Sequence, residues 1–173
     1  MPETNNNNSN NKPALVASLR TLWNMESMLV EAMPRMIGKA THLGLRKSLA
    51  LHLAETDQQK TALQAICALL DADWKGAEPD AGLLQILQEG EKAMIEEAMG
   101  DEMDARIIEG ASKIEQHEIA RYQAAALQAE ELGYEAVAKR LRLTLEEEVQ
   151  AGNKLRFMAR NLQDMGPVVA NRP

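Results

Sequence analysis

The amino-acid sequence predicts an all-α protein: a four-helix bundle with an additional shorter helix in the crossover between its two halves. Leucine, alanine, glutamate, glutamine and methionine favour helices and dominate the 173 residues, whereas the strand-favouring aromatics make up 3%. In four long segments, apolar residues recur every three or four positions, as on one face of a helix. A chain of this length fits one domain, which we place at residues 14–164.

The first two helices are predicted at about residues 13–38 and 45–71, and we expect Pro34 to kink or loosen the last turn of the first. Because the connection "GKATHLG" is short, the two helices should be antiparallel neighbours. The first helix has an apolar stripe of Leu15, Leu19, Leu22, Glu26, Leu29 and Met33. The stripe of the second is Leu45, Leu49, His52, Thr56, Leu63, Ile66 and Leu70.

The remaining helices are predicted at about residues 82–99, 104–132 and 134–164, after the glycine- and proline-containing connection "DADWKGAEPDAG". The turn "ELGY" makes the last two helices a second antiparallel pair. The shorter middle helix must then carry the chain from one hairpin to the other. Two hairpins joined by a long crossover are typical of the ferritin-like bundle. We expect residues 1–13 ("MPETNNNNSNNKP") to be a disordered polar tail and residues 165–173 a frayed end.

Charge and composition exclude several classes of function. The net charge of −7 argues against general nucleic-acid binding. No apolar run approaches the length of a membrane span, and the N-terminus lacks the apolar core of a secretory signal. The single cysteine, Cys67, lies in an apolar helical run and is predicted to be a buried small hydrophobe. We therefore expect a reducing, cytoplasmic setting.

Each long helix carries glutamate within or beside its apolar stripe. Glutamate is almost never buried without a partner, and no lysine or arginine occupies these stripes. A single such glutamate would normally be a solvated surface residue, whereas a glutamate in or beside the stripe of every long helix indicates a shared site. The candidates are Glu26 on the first helix, His52 and Glu55 on the second, Glu115 and Glu118 on the fourth, and Glu148 on the fifth.

The spacing of these residues is a second regularity. Glu26 and Glu55 are 29 residues apart, and Glu115 and Glu148 are 33 apart. Either distance brings mid-helix residues of an antiparallel hairpin to the same level. The glutamates should therefore converge in the middle of the bundle, as in di-metal carboxylate sites, and two divalent cations would neutralise them. For His52, a metal ligand and a satisfied core histidine are about equally good interpretations.

Two other polar residues receive different predictions. His117 falls about 200° around the helix from Glu115, so we expect it on a solvated face. Tyr122 shares the Glu118 face, where a plain core tyrosine with a hydrogen-bond partner is favoured over a redox-active neighbour of the metals.

Four segments carry a resemblance to a known family: "LRTLWNMESML" (19–29), "HLAETDQQ" (52–59), "KIEQHEIARY" (113–122) and "LEEEVQAGNKL" (145–155). Over residues 14–160 the chain resembles the bacterial ferritin-like proteins of the Yci stress-response type, a rubrerythrin-related group of unknown function. The resemblance implies a five-helix fold, a homodimer and a di-metal site. It would place ligands at Glu26, Glu55, Glu115, Glu118 and Glu148, with His52 a further candidate.

The chain departs from that family in two places. The usual Glu-His-Tyr-Glu motif of the fourth helix is replaced by Glu115-Gln116-His117-Glu118. The general ferritin-like Glu-x-x-His motif is absent, because the second helix has the reversed order His52-x-x-Glu55 and the fifth has no histidine near Glu148. Five carboxylates with at most one imidazole make an oxygen-rich site that suits iron, the expected metal, or manganese.

The sequence is compatible with three functions. The first is a redox protein that reduces peroxide or oxygen, or handles iron; it would need an external electron-donor protein, because the chain has no cysteine pairs of the rubredoxin type. The second is a non-catalytic structural or stress-related dimer in which any metal only stabilises the bundle. The third is a metal-free helical interaction module. The sequence does not decide whether the protein is an enzyme.

Overall fold

The computed structural model describes residues 8–95 and 98–164, which form five helices and no strand. These helices are α1 (Asn8–Lys39), α2 (Leu43–Leu69), α3 (Ala81–Ile95), α4 (Asp101–Glu131) and α5 (Glu135–Asp164). The all-α prediction is confirmed. Among the described helices, none combines the length and the apolar character that crossing a membrane requires.

The boundaries differ from the sequence prediction mainly at the start of the chain. Helix α1 begins at Asn8, so residues 8–13 of the predicted polar tail belong to the first helix. The predicted tails at residues 1–7 and 165–173 lie outside the described residues. Helix α1 remains helical past Pro34 as far as Lys39, so the proline does not end it.

The four long helices form two hairpins that pack side by side. Helix α1 packs mainly on α2 and α4 mainly on α5, while contacts of α1 with α4 and of α2 with α5 close the bundle. The connections at residues 40–42 and 132–134 are too short for anything but antiparallel neighbours. Gly133 has φ = 77° in the second connection, a conformation that favours glycine. The shorter α3 packs chiefly on α4.

The core follows the predicted stripes. Cys67 is completely buried, and burial raises the pKa of its thiol, in agreement with a structural rather than a reactive cysteine. The aliphatic residues of the stripes are all buried: Leu15, Leu19, Leu22, Leu29, Met33, Leu45, Leu49, Leu63, Ile66 and Leu70.

Asp104 fastens the start of α4 to the α1–α2 connection. Its buried carboxylate accepts hydrogen bonds from the backbone N–H groups of Thr41 (2.7 Å) and His42 (2.8 Å) and from the Thr41 hydroxyl (2.6 Å). One side chain thereby joins the two hairpins at this end of the bundle.

Replacing Asp104 with alanine should lower the free energy of unfolding by about 2 kcal/mol, because two backbone donors lose a charged acceptor. Urea unfolding followed by circular dichroism measures the change. Asp104→Asn, which keeps one acceptor oxygen, should lose less than the alanine variant. Equal stability of wild type and Asp104→Ala would contradict this role.

Candidate metal centre

Five polar side chains meet in the middle of the bundle, where the sequence predicts them. The four glutamates are at most 2% exposed, and His52 is 9% exposed. They come from all four long helices: Glu26 from α1, His52 from α2, Glu115 and Glu118 from α4, and Glu148 from α5. The cluster therefore joins both hairpins.

The spacing within the cluster matches the size of a metal site. His52 Nε2 lies 3.0 Å from Glu115 Oε1 and 3.9 Å from Glu148 Oε2. One ligand atom each from His52, Glu115, Glu118 and Glu148 lies within 4.8 Å of all the others. Ligands on opposite sides of an ion bound at about 2.1 Å are separated by about 4.2 Å, so a small closure would suffice.

Glu26 lies at the side of the cluster lined by Tyr122. The fully buried Tyr122 hydroxyl donates a hydrogen bond to Glu26 Oε1. Tyr122 is thus a core tyrosine with a hydrogen-bond partner, as the sequence favours, and that partner belongs to the carboxylate cluster. The Glu26 charge also helps to raise the pKa values of Glu118 and Glu148.

Glu55 differs from the other predicted ligands. Its side chain is 42% exposed, and its Oε2 lies 3.6 Å from His52 Nδ1. The structure therefore places Glu55 at the rim of the cluster rather than inside it. To approach an ion in the interior, its side chain would have to turn inward past His52.

Several buried polar atoms of the cluster lack a hydrogen-bond partner. They are one oxygen each of Glu26, Glu115, Glu118 and Glu148, and both ring nitrogens of His52, whose contact with Glu115 is not aligned as a hydrogen bond. In the described part of the chain, His52 is the only basic side chain within 4 Å of these carboxylates. A native core rarely leaves so many polar atoms unpaired in one place.

Burial and mutual repulsion change the protonation of these groups. Burial raises the pKa of Glu26 to about 7, although the Tyr122 hydrogen bond opposes the shift. Burial and the neighbouring Glu115 and Glu26 charges raise the pKa of Glu148 to about 10, and burial likewise raises that of Glu118 well above its usual value. Burial lowers the pKa of His52, but the surrounding carboxylates outweigh it and raise the value overall. Without a cation, the cluster must therefore hold protons.

Sequence reasoning missed one residue of this centre, Gln59. It is 3% exposed, and its Nε2 donates hydrogen bonds to Glu148 Oε1 (2.5 Å) and Glu147 Oε2 (3.1 Å). The amide orients Glu148 from α2. The signal was present, because His52, Thr56 and Gln59 follow the i, i+4, i+7 spacing of one helix face.

Contrary to the prediction, His117 does not lie on a solvated face. It does not belong to the metal centre either. Its side chain is 20% exposed, and its Nε2 lies 2.7 Å from Asp80 Oδ1. Arg121 donates to the other oxygen of Asp80, and the Leu83 N–H donates to Oδ1 at the start of α3. Burial raises the pKa of Asp80, but these donors lower it overall. His117 thus helps to fix the crossover helix, a contact between distant segments that periodicity cannot predict.

The donor set decides which ligands would fit. Four carboxylates and one imidazole form an oxygen-rich set that suits hard divalent cations such as iron(II) or manganese(II), and it lacks the thiolates that favour softer metals. The unpaired oxygens offer free lone pairs towards the shared space. The residues present therefore fit a metal site.

Fold and site together define a class: an all-helical bundle protein with a buried histidine–carboxylate cluster able to hold a metal ion. The chain belongs to the family described as Domain of unknown function (DUF892), which matches residues 11–165.

Known relatives extend over nearly the whole chain. Protein YciF of Escherichia coli strain K12 is 31% identical over 144 residues, covering 83% of this chain and 86% of YciF. The crystal structure of this E. coli stress protein superposes with a TM-score of 0.84, covering 88% of this chain and 96% of that one. YcfI, a candidate structural protein of Rhodopseudomonas palustris, is 28% identical with a TM-score of 0.80, covering 90% of this chain and 97% of YcfI.

Proposed function

We propose that this chain is a ferritin-like protein with a di-metal carboxylate centre, and that it acts in a bacterial stress response. The observation that carries the metal proposal is the set of four buried glutamates, each with an oxygen lacking a hydrogen-bond partner, with only His52 as a basic neighbour in the described chain. The stress-related role is proposed from the similarity to YciF, which is described as a stress protein.

Six residues would hold the two ions. Glu115 and Glu148 lie centrally in the cluster, next to His52, and would be ligands. Glu26 and Glu118 would be ligands on the side of the cluster beside Tyr122. His52 and the rim residue Glu55 would complete the set.

Two bound iron ions, or manganese ions, would supply the electron-transfer chemistry needed to reduce peroxide or oxygen. The chain's own contribution is to position the ligands. Gln59 orients Glu148, and the Tyr122 hydroxyl holds Glu26 and is the nearest buried proton donor to it. The surrounding leucine and methionine core excludes water. Reducing equivalents would come from an external donor protein, and a second copy of the chain would form the expected homodimer in the cytoplasm.

A non-catalytic role is the second candidate, because the relative YcfI is described as a candidate structural protein. In that case the metal would stabilise the folded bundle and nothing more. The two functions differ in one measurement: iron-dependent peroxide consumption supports the redox role, whereas metal binding without consumption supports the structural one.

The metal proposal predicts about two iron or manganese ions per chain in protein purified from metal-supplemented cells. Glu148→Gln should reduce the content to less than about half, because it removes one of the buried carboxylate charges that would hold the ions. Inductively coupled plasma mass spectrometry measures both values.

Glu146→Gln is the matched control. It makes the same change on the same helix, but Glu146 is exposed. It should therefore keep the wild-type metal content. Absence of stoichiometric metal from the wild type, or equal metal in Glu148→Gln and Glu146→Gln, would overturn the di-metal proposal.

A further inference from the structure

A large groove lies outside the carboxylate cluster, between α1, α3 and α4. Its cavity volume is about 680 Å³, within the range of small-molecule sites. The walls are largely apolar, with Met28 and Met36 on α1, Leu87 and Met94 on α3, and Ile107 on α4 among the lining residues. The proposed metal chemistry makes no use of this space.

The two arginines at the groove already have protein partners. Arg35 is paired with Glu91 across the groove. Arg106 donates to the Ala93 carbonyl oxygen (2.9 Å) and to Glu102 Oε1 (2.8 Å). Both guanidinium groups are therefore already used, and the carboxyl group of Glu31 also lines the groove, so an anionic ligand is disfavoured.

One uncharged polar side chain on the wall is available to a ligand. Asn24 lines the groove, and its Oδ1 has no hydrogen-bond partner, although the atom is shielded from solvent. Rotation of the amide would turn that acceptor towards the groove. The neighbouring Ser27 hydroxyl is already used, because it donates to the Trp23 carbonyl oxygen.

The floor of the groove is also a wall of the cluster. Met36 and Ile114 line both the groove and a small void that touches His52 and Glu115. Methionine adapts its shape readily, so this partition can adjust to an occupant. A ligand in the groove would therefore lie one layer of side chains from the carboxylates.

We propose that this groove binds a neutral, apolar ring compound carrying a hydroxyl group, which hydrogen-bonds to the Asn24 amide. The apolar walls hold the ring, and the paired arginines together with Glu31 disfavour an anionic analogue. Binding requires no metal, so the site is independent of the proposed di-metal function.

The test uses 1-naphthol, naphthalene and 1-naphthoate as probes in isothermal titration calorimetry on the metal-free protein. We expect one 1-naphthol per chain with a Kd on the order of 100 µM, and about tenfold weaker binding of the charged 1-naphthoate. Asn24→Leu should weaken 1-naphthol about fivefold but leave naphthalene unchanged, because only the hydroxyl uses the amide.

Substitutions at Gly110, which lines the groove, change the volume of the groove without adding a polar group. A Cβ at Gly110 meets no atom within 4 Å, so Gly110→Ala should fold and bind like the wild type. Gly110→Leu should fill the groove and weaken 1-naphthol at least about tenfold. Ala32→Leu does the same from the opposite wall and replaces Gly110→Leu if that variant does not fold.

Non-saturable binding to the wild type, or wild-type affinity in the folded leucine variants, would overturn the ligand site. Equal affinity for naphthoate and naphthol would also overturn it, as would equal weakening of naphthol and naphthalene by Asn24→Leu. Metal content in Gly110→Leu should equal that of the wild type, so failure of this site is distinguishable from failure of the di-metal proposal.

Discussion

The metal-free protein is expected to lose about 3 kcal/mol of unfolding free energy between pH 5.5 and pH 7.5 from the titration of Glu148 alone. Glu148 holds its proton across this range in the folded state, because burial and neighbouring carboxylates raise its pKa to about 10. Burial and neighbouring carboxylates also raise the pKa of Glu118, so its contribution has the same direction. In the unfolded chain, glutamates ionise near pH 4.5. The folded state therefore binds more protons than the unfolded state, so raising the pH favours unfolding.

The contributions of Glu26 and His52 to the free energy of unfolding also decline as the pH rises. The Glu26 contribution is present below about pH 4.5 and declines up to its folded pKa of about 7. The pKa of His52 is also raised, so its contribution is present below 6.5 and declines as the pH rises through the folded value. Between its unfolded-state and folded-state pKa values, each group lowers the free energy of unfolding by up to about 1.4 kcal/mol for every unit rise in pH.

Urea unfolding in the presence of chelator, repeated at four pH values, measures the slope. Glu148→Gln should have a shallower slope and a higher stability than the wild type at pH 8, because it removes one buried acid. Glu146→Gln should keep the wild-type slope. If wild-type stability is constant or rises from pH 5.5 to 7.5, the buried carboxyl groups are not protonated in the folded, metal-free protein.

Bound manganese is expected to reverse this pH dependence and to add about 4 kcal/mol of stability at a concentration a thousand times its Kd. Metal binding requires deprotonated carboxylates, so the apparent affinity should rise as the pH rises. The cation replaces the protons on Glu26, Glu118 and Glu148, and the largest stabilisation therefore appears at the pH where the metal-free protein is weakest.

Differential scanning calorimetry with manganese chloride and with chelator, at pH 6 and pH 8, tests this expectation. The gap between the two melting temperatures should be larger at pH 8 for the wild type and for Glu146→Gln. It should shrink in Glu148→Gln. A gap independent of pH in the wild type would indicate that the metal does not bind through these carboxylates.

The sequence was sufficient to predict the helices and the height in the bundle at which their polar residues meet. Helical periodicity located the buried face of each long helix, and the short connections fixed the antiparallel pairs. The separations of 29 and 33 residues then placed the polar positions of the four long helices at one level, in the middle of the bundle, although Glu55 itself stays at the rim. These inferences depend only on local geometry and chain length, which one sequence contains.

Tertiary packing decided whether one or both members of each close pair are buried. Residues three apart differ by about 60° around a helix, so periodicity alone does not separate them. Helix α4 is covered by α1, α3 and α5, and both Glu115 and Glu118 are buried. Helix α2 contacts chiefly α1 and α5, so His52 is buried while Glu55 remains at the rim.

What the sequence by itself determined was the all-helical architecture, the two hairpins and the convergence of polar side chains from the four long helices. Only the tertiary structure decided that Gln59 orients Glu148, that His117 pairs with Asp80, and that α3 leaves a groove over α1 and α4. Each of these contacts joins segments whose relative rotation and depth are set by side-chain packing between helices, which local periodicity does not specify.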